Sequence, residues 1–309
     1  MNVIKKAALA AALSVAASAT LAQSINPAQV ALLRWYPENS SQAVVPVASS
    51  LGIAFDGENM WVTSVSANTI TKIRAADSAV LGSYPTGAIP TGVAFDGANM
   101  WVTNQSANTV SRIRASDGAL QGTYATGADP FGIAYDGAFV WISNYAAATV
   151  SKFRVSNGAL TGTYAVGANP SGVAFDGTSI WVANFGSSTV SRLSAATGAV
   201  VGTYAVASPR ALAFDGANIW VVGGNVATRL RASDGAVLGT TTVGNGAYTV
   251  AFDGSYIWTA NLTDKTVTKI LASTGVAVGT FAVPGSGPNY LAFDGANMWT
   301  TVSTGAAKL

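Results

Sequence analysis

The sequence predicts an all-β fold, a seven-bladed β-propeller of four-stranded blades, from three observations. A motif of Ala, an aromatic residue, Asp and Gly, followed by three further residues and then Trp, occurs seven times. The copies recur at intervals of about 40 residues, a period typical of propeller blades. Short runs of β-branched and aromatic residues separated by turn residues fill each copy, and strong helical patterns are absent. Because the repeat occupies nearly all of the 309 residues, we expect one closed domain.

The copy that begins near Pro170 illustrates the predicted blade. We expect strand A at residues 172–175, followed by the Asp-Gly turn, and strand B at residues 180–183. Strands C and D are expected at residues 189–193 and 200–206. A Pro-x-Gly segment then starts the next blade, because Pro cannot continue a hydrogen-bonded ladder and Gly allows a tight approach.

The two ends of the chain are predicted to share the last blade. Six copies are complete, whereas the seventh stops at Leu309 with strands A and B and at most a short strand C. Residues 30–36 and 44–48 precede the first Asp-Gly turn as strands C and D precede every later one. We therefore expect N-terminal strands to close the last blade and to leave no long free strand edge. Residues 306–309 could also supply strand C, and the sequence leaves that choice open.

Residues 1–22 have the pattern of a secretory signal peptide. Lys5 and Lys6 precede an apolar run over residues 7–17, and a small-residue cleavage site ends at Ala22. We therefore expect residues 1–22 to be removed and residues 23–309 to form the propeller in the periplasm or outside the cell. The run is too short for a transmembrane anchor, and no later apolar run is long enough to span a bilayer, so we expect no membrane insertion.

The charge balance argues against nucleic acid as a partner. Loss of Lys5 and Lys6 from the 16 basic residues leaves 14, which equals the number of acidic residues. Nucleic-acid-binding domains usually carry a concentrated basic surface instead. The chain has no Cys, so an exported protein of this sequence is held together without disulfides.

One segment carries a resemblance to a known repeat family. Trp101-Val-Thr-Asn104 is followed by Asn-Thr-Val-Ser-Arg-Ile at 108–113 and by Gly-Ala-Asp-Pro-Phe-Gly at 127–132. This pattern resembles the YVTN-type repeat family of β-propellers, with Trp in place of Tyr, and the resemblance extends over residues 50–309. It implies a propeller and an exported or surface protein. Related copies are Trp141-Ile-Ser-Asn144, Trp181-Val-Ala-Asn184 and Trp258-Thr-Ala-Asn261.

The streptogramin B lyases are similar in blade number and repeat length. Members of that family use a catalytic His and a metal ion. This sequence contains no His, so the resemblance does not carry that activity over.

The residues common to all seven copies are predicted to be structural. Each Trp can bury a large apolar surface between blades, and each Asp can accept hydrogen bonds from its own turn. Ligand-stacking tryptophans and calcium sites are the functional alternatives, but a calcium loop of the EF-hand kind needs several oxygen ligands close in sequence. The tryptophans are Trp61, Trp101, Trp141, Trp181, Trp220, Trp258 and Trp299, and the aspartates are Asp56, Asp96, Asp136, Asp176, Asp215, Asp253 and Asp294.

Two further residue types recur in most copies. An Asn ends strand B in four copies and is expected to cap the loop between strands B and C. Basic residues in strand C are expected to lay their stems on neighbouring blades and to keep their charges in water. A phosphate-binding band is the alternative for these bases, which are Lys72, Arg112, Lys152, Arg192, Arg229 and Lys269.

The remaining acidic residues offer no catalytic constellation. Seven of the 14 belong to the Asp-Gly turns, and three more lie in the turns between strands C and D. Only Glu38, Glu58, Asp129 and Asp264 remain, and the chain has neither His nor Cys to serve as a general base or a nucleophile. We therefore predict no catalytic residue, no metal site and no cofactor.

Function is predicted to lie where the blades differ. In a four-stranded blade the D-to-A and B-to-C loops emerge around one mouth of the central channel, and both loops vary in sequence. Aromatic and Arg residues there are typical anchors of binding sites. The candidate ligand-binding residues are Phe131, Tyr145, Phe185, Arg210 and Tyr248, with Gln105 and Asp129 nearby.

We interpret the sequence as a non-catalytic binding or scaffold protein that acts as a monomer. The partner expected at the mouth is an unidentified protein, glycan or small molecule. One alternative is a lyase-like or lactonase-like enzyme with a metal held by Asp129 and backbone carbonyls. Another is a structural cell-surface protein, in which the mouth loops vary because nothing constrains them.

Overall fold

The computed structural model describes residues 44–309, and these residues form 28 β-strands and no helix. The strands make seven sheets of four, and neighbouring strands within a sheet are antiparallel. The innermost strands contact one another in order around the ring, and contact between the last and the first of them closes it. The predicted seven-bladed β-propeller is confirmed.

Each blade runs from an innermost strand A to an outermost strand D. The A strands are β2 Ser50–Phe55, β6 Pro90–Phe95, β10 Pro130–Tyr135, β14 Pro170–Phe175, β18 Ala211–Phe214, β22 Ala247–Phe252 and β26 Leu291–Phe293. The B strands are β3 Asn59–Ser64, β7 Asn99–Asn104, β11 Phe139–Asn144, β15 Ser179–Asn184, β19 Asn218–Gly223, β23 Tyr256–Asn261 and β27 Met298–Val302.

The two outer strands complete each sheet. The C strands are β4 Thr69–Arg74, β8 Thr109–Arg114, β12 Thr149–Arg154, β16 Thr189–Ser194, β20 Val226–Arg231, β24 Thr266–Leu271 and β28 Gly305–Lys308. The D strands are β5 Val80–Pro85, β9 Leu120–Ala125, β13 Leu160–Ala165, β17 Val200–Ala205, β21 Val237–Thr242, β25 Val276–Ala282 and β1 Val44–Pro46.

The last blade joins the two ends of the described chain. Its sheet order is β1-β28-β27-β26, so the N-terminal strand β1 is its strand D, as predicted. Strand C is the C-terminal β28, with Val45 opposite Ala306. The C-terminal segment therefore supplies strand C of the last blade, which the sequence left open. The other candidate, residues 30–36, lies outside the described residues. Lys308 Nζ also donates a 3.0 Å hydrogen bond to Ala75 O on the first blade.

The A strands begin earlier than predicted. In the fourth blade β14 starts at Pro170, which pairs with Asn184, and a bulge separates this pair from the regular register at Val173. Pro can occupy the first position of a strand because its missing N–H is not needed there. The bulge lies beside the channel, where it re-aims the residue that follows Pro.

The hydrophobic core lies between neighbouring blades. Between the first two blades, fully buried Trp61 packs in one cluster with Met100 and Ile113 of the next blade. Tyr84 of strand D lies against the same indole, with ring centroids 5.6 Å apart. Seven such clusters follow one another around the ring.

Each repeated Asp ties its turn to the Trp of the same blade. Asp56 Oδ1 accepts hydrogen bonds from the backbone N–H groups of Glu58 and Asn59, and its Oδ2 accepts one of 2.7 Å from Trp61 Nε1. Burial raises the pKa of Asp56, but the hydrogen bonds from Trp61, Asn59 and Glu58 outweigh it, so the pKa lies below its ordinary value. The indole bond is 2.7 Å long in all seven blades.

Two of the strand-C bases contradict the expectation that their charges stay in water. Lys152 and Lys269 are only 5% and 6% exposed. Lys152 Nζ lies 4.7 Å from the ring centroid of Trp141 and donates a 2.7 Å hydrogen bond to Ala195 O on the next blade. All six bases stack on the Trp of their own blade, a structural use that the repeat alone did not reveal. Those that also donate a hydrogen bond to a carbonyl of the following blade are Lys72, Lys152, Arg192 and Arg229.

Lys269 makes the stability of the fold depend on pH. Its Nζ lies 3.8 Å from the ring centroid of Tyr256, and burial lowers its pKa from 10.5 to about 8. Between these values the unfolded chain holds a proton that the folded chain has lost, so the free energy of unfolding rises with pH. We expect a rise of about 1–2 kcal/mol between about pH 8 and pH 9.5 in urea unfolding of the wild type.

Lys269→Met should remove the part of that rise that comes from Lys269, since the variant has no proton to lose at this position. A smaller rise should remain, because burial also lowers the pKa of Lys152. Lys265→Met is the matched control at an exposed lysine, and it should keep the wild-type slope. Equal slopes in all three proteins would show that Lys269 keeps its ordinary pKa in the folded state.

Candidate functional site

A cavity of about 150 Å³ opens into the channel among the A strands. One aliphatic residue from every blade lines it, three positions before the Asp of the Asp-Gly turn. This apolar ring surrounds the channel on all sides. Its members are Ile53, Val93, Ile133, Val173, Leu212, Val250 and Leu291.

The structure brings five of the predicted ligand-binding residues together in two groups. Phe131, Arg210 and Tyr248 line the cavity. Tyr145 stands beside Phe131, with ring centroids 6.3 Å apart. Phe185 lies under the Arg210 guanidinium, whose central carbon is 4.3 Å from the Phe185 ring centroid and 5.5 Å from that of Tyr248.

The other two predicted residues lie in the loops without lining the cavity. Gln105 and Asp129 are half-buried, and neither is among the lining residues. The backbone of Asp129 has a φ of 60°, and its N–H donates a hydrogen bond to Asn108 Oδ1. Its carbonyl accepts a bond from Tyr145 N. These contacts give Asp129 a role in shaping the loop rather than a place in the cavity wall.

The position of Arg210 is fixed through its backbone. Its carbonyl accepts hydrogen bonds from Gly172 N at 2.8 Å and Ser171 Oγ at 2.7 Å, both on the preceding blade. Its N–H donates to Val222 O in the same blade at 2.8 Å. The side chain is therefore presented to the channel from a rigid base, as preorganised binding groups are.

The mouth is not symmetric, because two B-to-C loops are short. In the fifth blade Gly223 pairs with Val226, which leaves a two-residue turn, whereas the third blade has a four-residue loop between Asn144 and Thr149. The seventh blade also has a two-residue turn, between Val302 and Gly305. Less loop therefore overhangs the channel at Arg210 than at the third blade.

Tyr290 lines the cavity and was missed by the sequence analysis. Its ring meets that of Tyr248 edge to face, with centroids 5.9 Å apart. It occupies the second position after Pro, where the first four blades have Gly. This difference from the repeat is the feature of the sequence that could have identified Tyr290 as a site residue. Sequence reasoning considered only the first position after Pro, which is Asn289 in this blade.

The glycines at this second position serve the packing of blades. A Cβ built on Gly92 would lie 2.3 Å from Phe131 O, and one on Gly132 would lie 2.1 Å from Ser171 O. Strands A of the early blades therefore approach too closely for any side chain. The later blades carry Ala211, Thr249 and Tyr290 there and so present more side-chain bulk to the cavity.

The polar groups of the mouth interact electrostatically. Burial raises the pKa of Tyr248, as does the Tyr145 phenol, while the charge of Arg210 lowers it. Burial also holds the pKa of Tyr290 well above its usual range, with Tyr248 adding to the effect and Arg210 opposing it. Both phenols are therefore protonated at neutral pH and able to donate hydrogen bonds.

No carboxylate within residues 44–309 forms an ion pair with Arg210. The three ion pairs among these residues join Arg and Asp on exposed turns, three positions apart in each case. The Arg210 guanidinium stacks on the rings of Phe185 and Tyr248. The mouth thus combines phenol donors, an apolar wall and a positive charge that no carboxylate of residues 44–309 pairs.

Buried asparagines connect the loops around the mouth. Asn104 donates hydrogen bonds from Nδ2 to Thr109 and Ser111 of strand C, and its Oδ1 accepts one from Gly87 N in the preceding loop. Asn144 makes the equivalent contacts. These side chains connect the D-to-A loop to the B-to-C hairpin and so fix the two loops that carry the variable residues of the mouth.

Two broader features of the described chain bear on function. Residues 44–309 contain no cluster of three or more Asp, Glu, His or Cys side chains placed to hold a metal ion. No helix able to cross a membrane occurs in the same range.

Comparison with protein-family models and with curated protein sequences gives no match. Solved structures with the same fold include a streptogramin B lyase, at a TM-score of 0.75 and 16% identity over 85% of this chain and 93% of the other. Virginiamycin B lyase from Staphylococcus aureus gives 0.73 and 18% over 84% and 94%. Kuenenia stuttgartiensis hydrazine synthase gives 0.74 and 17% over 89% and 98%.

These likenesses support the seven-bladed propeller fold and nothing beyond the fold. Identities as low as these carry no activity over to this chain. Membership of the YVTN-type repeat family stays a prediction from the sequence pattern.

Proposed function

We propose that the protein is an exported, YVTN-type β-propeller that binds a ligand at its channel mouth without transforming it. The observation that carries the proposal is Arg210, held between Phe185 and Tyr248 at the edge of an apolar cavity and paired with no carboxylate of the described chain. Concave sites with an apolar lining and a few convergent polar groups are where proteins bind small molecules.

The charge and the apolar lining favour binding over structural display. The Arg192 and Arg229 guanidiniums stack on Trp rings and donate hydrogen bonds to carbonyls of the next blade, which is a structural use. The Arg210 guanidinium instead lines the cavity and pairs with no carboxylate of residues 44–309, so its N–H donors can bind a ligand. Export rests on the signal-peptide pattern of residues 1–22, and a single closed ring is consistent with a monomer.

A thermal-shift screen of residues 23–309 tests the binding proposal. The library contains divalent metals, glycans, peptides and small metabolites, and each hit is repeated on a Phe131→Ala, Tyr145→Ala, Arg210→Ala triple variant. We expect at least one compound to raise the Tm of the wild type by several degrees and to lose that effect in the triple variant. A metal that stabilises the protein and supports turnover of a bound compound would favour the lyase-like alternative.

The control removes three side chains far from the mouth. Val80, Leu120 and Val200 begin D strands and are 52%, 52% and 47% exposed, so their replacement by Ala should leave every hit unchanged. Hits that survive the mouth variant, or vanish in the control variant, would overturn the proposed site. The absence of any hit would favour the structural cell-surface alternative.

A further inference from the structure

The chemistry of the mouth narrows the class of ligand. Arg210 supplies a planar guanidinium with five N–H donors in a geometry that matches a carboxylate. The Phe185 ring lies 4.3 Å away, and the Tyr248 ring 5.5 Å, so the plane is supported by aromatic groups rather than by an acid. Such a group favours an anionic partner and disfavours a cationic one.

The neighbouring phenols reinforce that preference. Tyr248 and Tyr290 line the same cavity, and their rings are in contact. Protonated phenols can donate hydrogen bonds to a second oxygen of the same anion. Asp129 is the nearby acid considered from the sequence, and it is not among the residues that line the cavity. The residues that line the cavity therefore include the positive charge of Arg210 and no acid.

The remaining wall sets the size and polarity of the rest of the ligand. Seven aliphatic residues, one per blade, surround the channel beside Arg210. The cavity volume is about 150 Å³, which is comparable to engineered apolar cavities that accept a benzene molecule. The serine and threonine hydroxyls of the wall are already used as donors. Ser171 Oγ donates to Arg210 O, and Thr249 Oγ1 donates to Asn289 O. A sugar-like body would therefore find few free donors among these side chains, whereas one apolar ring would contact the aliphatic residues.

We infer that the mouth binds a small organic carboxylate whose apolar part is about the size of one six-membered ring, with Arg210 pairing to the carboxylate. This inference rests on the proposed function, because it assigns the ligand class of the same site. In this arrangement the seven aliphatic side chains that line the channel contact the apolar part of the ligand. Tyr248 and Tyr290 lie beside its carboxylate.

Isothermal titration of residues 23–309 with matched pairs of compounds tests this assignment. The carboxylates are phenylacetate, benzoate, 3-phenylpropionate and cyclohexanecarboxylate, and each is compared with its primary amide. We expect the best carboxylate to bind at least about tenfold more tightly than its amide, because the amide has no charge to pair with Arg210.

Three variants connect that preference to Arg210. Arg210→Met should abolish the difference between carboxylate and amide, and Arg210→Lys should retain the preference with about tenfold weaker binding because the paired geometry is lost. Arg74→Met is the matched control, since Arg74 lies on an exposed turn and pairs with Asp77. Its binding should equal that of the wild type. Thermal unfolding of each variant verifies that the propeller remains folded.

The outcomes separate the ligand class from the existence of the site. A carboxylate that binds no better than its amide, a preference that persists in Arg210→Met, or no binding of any carboxylate would each overturn the assignment. The proposed function would survive those results if the wider screen finds a neutral or cationic ligand that is lost in the triple mouth variant. It would fail with the assignment only if nothing in either set binds at the mouth.

Discussion

Replacing Trp181 with alanine is expected to lower the free energy of unfolding by about 3–5 kcal/mol in urea denaturation. The indole is fully buried and packs in one cluster with Leu212, Ile219 and Leu230 of the next blade. Truncation removes this contact between blades and leaves a cavity that rigid β-sheets cannot collapse to fill. Because every blade repeats the arrangement, Trp181 represents the way in which the whole ring is held together.

Trp181→Phe separates packing from hydrogen bonding. Phenylalanine keeps most of the apolar volume but loses the N–H that donates a 2.7 Å hydrogen bond to Asp176 Oδ2. We expect a loss of about 1–3 kcal/mol, smaller than that of the alanine variant, because the carboxylate oxygen loses a partner. A loss below about 1 kcal/mol for Trp181→Ala would contradict the view that the core lies between the blades.

A disulfide between positions 45 and 306 is expected to stabilise the propeller by about 4 kcal/mol. Val45 and Ala306 are direct partners across the seam between β1 and β28, and both are buried. The chain has no native Cys, so Val45→Cys with Ala306→Cys creates a single possible bridge. The bridge would close almost the whole described chain into one loop, and long loops give the largest loss of entropy in the unfolded state.

The seam can be checked with a control shifted by one residue. Neighbouring residues of a strand point to opposite faces of a sheet, so Val45→Cys combined with Ala307→Cys should not cross-link. Mass spectrometry of the oxidised proteins distinguishes the two results, and urea unfolding with and without reductant gives the stabilisation. Cross-linking of the shifted pair, or none in the aligned pair, would show that β28 is not the strand that β1 joins in this register.

The fold could be predicted because the same turn and strand pattern occurs seven times in the sequence. The Asp-Gly turn, the Trp five residues after Asp and the short β-branched runs all agree, and together they set the blade number and the strand order. Sequence reasoning failed to choose strand C of the last blade. Both candidate segments can form a strand, and the choice depends on the register between Val45 and Ala306 across nearly the whole chain.

The site was predictable only in part, because some of its contacts join different blades and leave no local pattern in the sequence. Positions that vary between blades pointed to Phe131, Arg210 and Tyr248, which the structure places around one cavity. The repeat alone does not point to Tyr290, because the equivalent position in the first four blades is a glycine that serves the close packing of neighbouring A strands. The contact of Phe185 with the Arg210 guanidinium joins two different blades, and no local pattern in the sequence records such a contact.

The central claim is that a small organic carboxylate binds inside the channel mouth, and methyl NMR of residues 23–309 during titration with phenylacetate and the three other carboxylates tests it most directly. The account predicts shift changes at Val173, Leu212 and Val250, which line the cavity, and in Leu291 on the seventh blade. Methyl signals of the exposed outer strands, at Leu120, Leu160, Val200 and Val276, should remain in place. Shifts confined to the outer strands, or no shift anywhere with any of the four carboxylates, would contradict it.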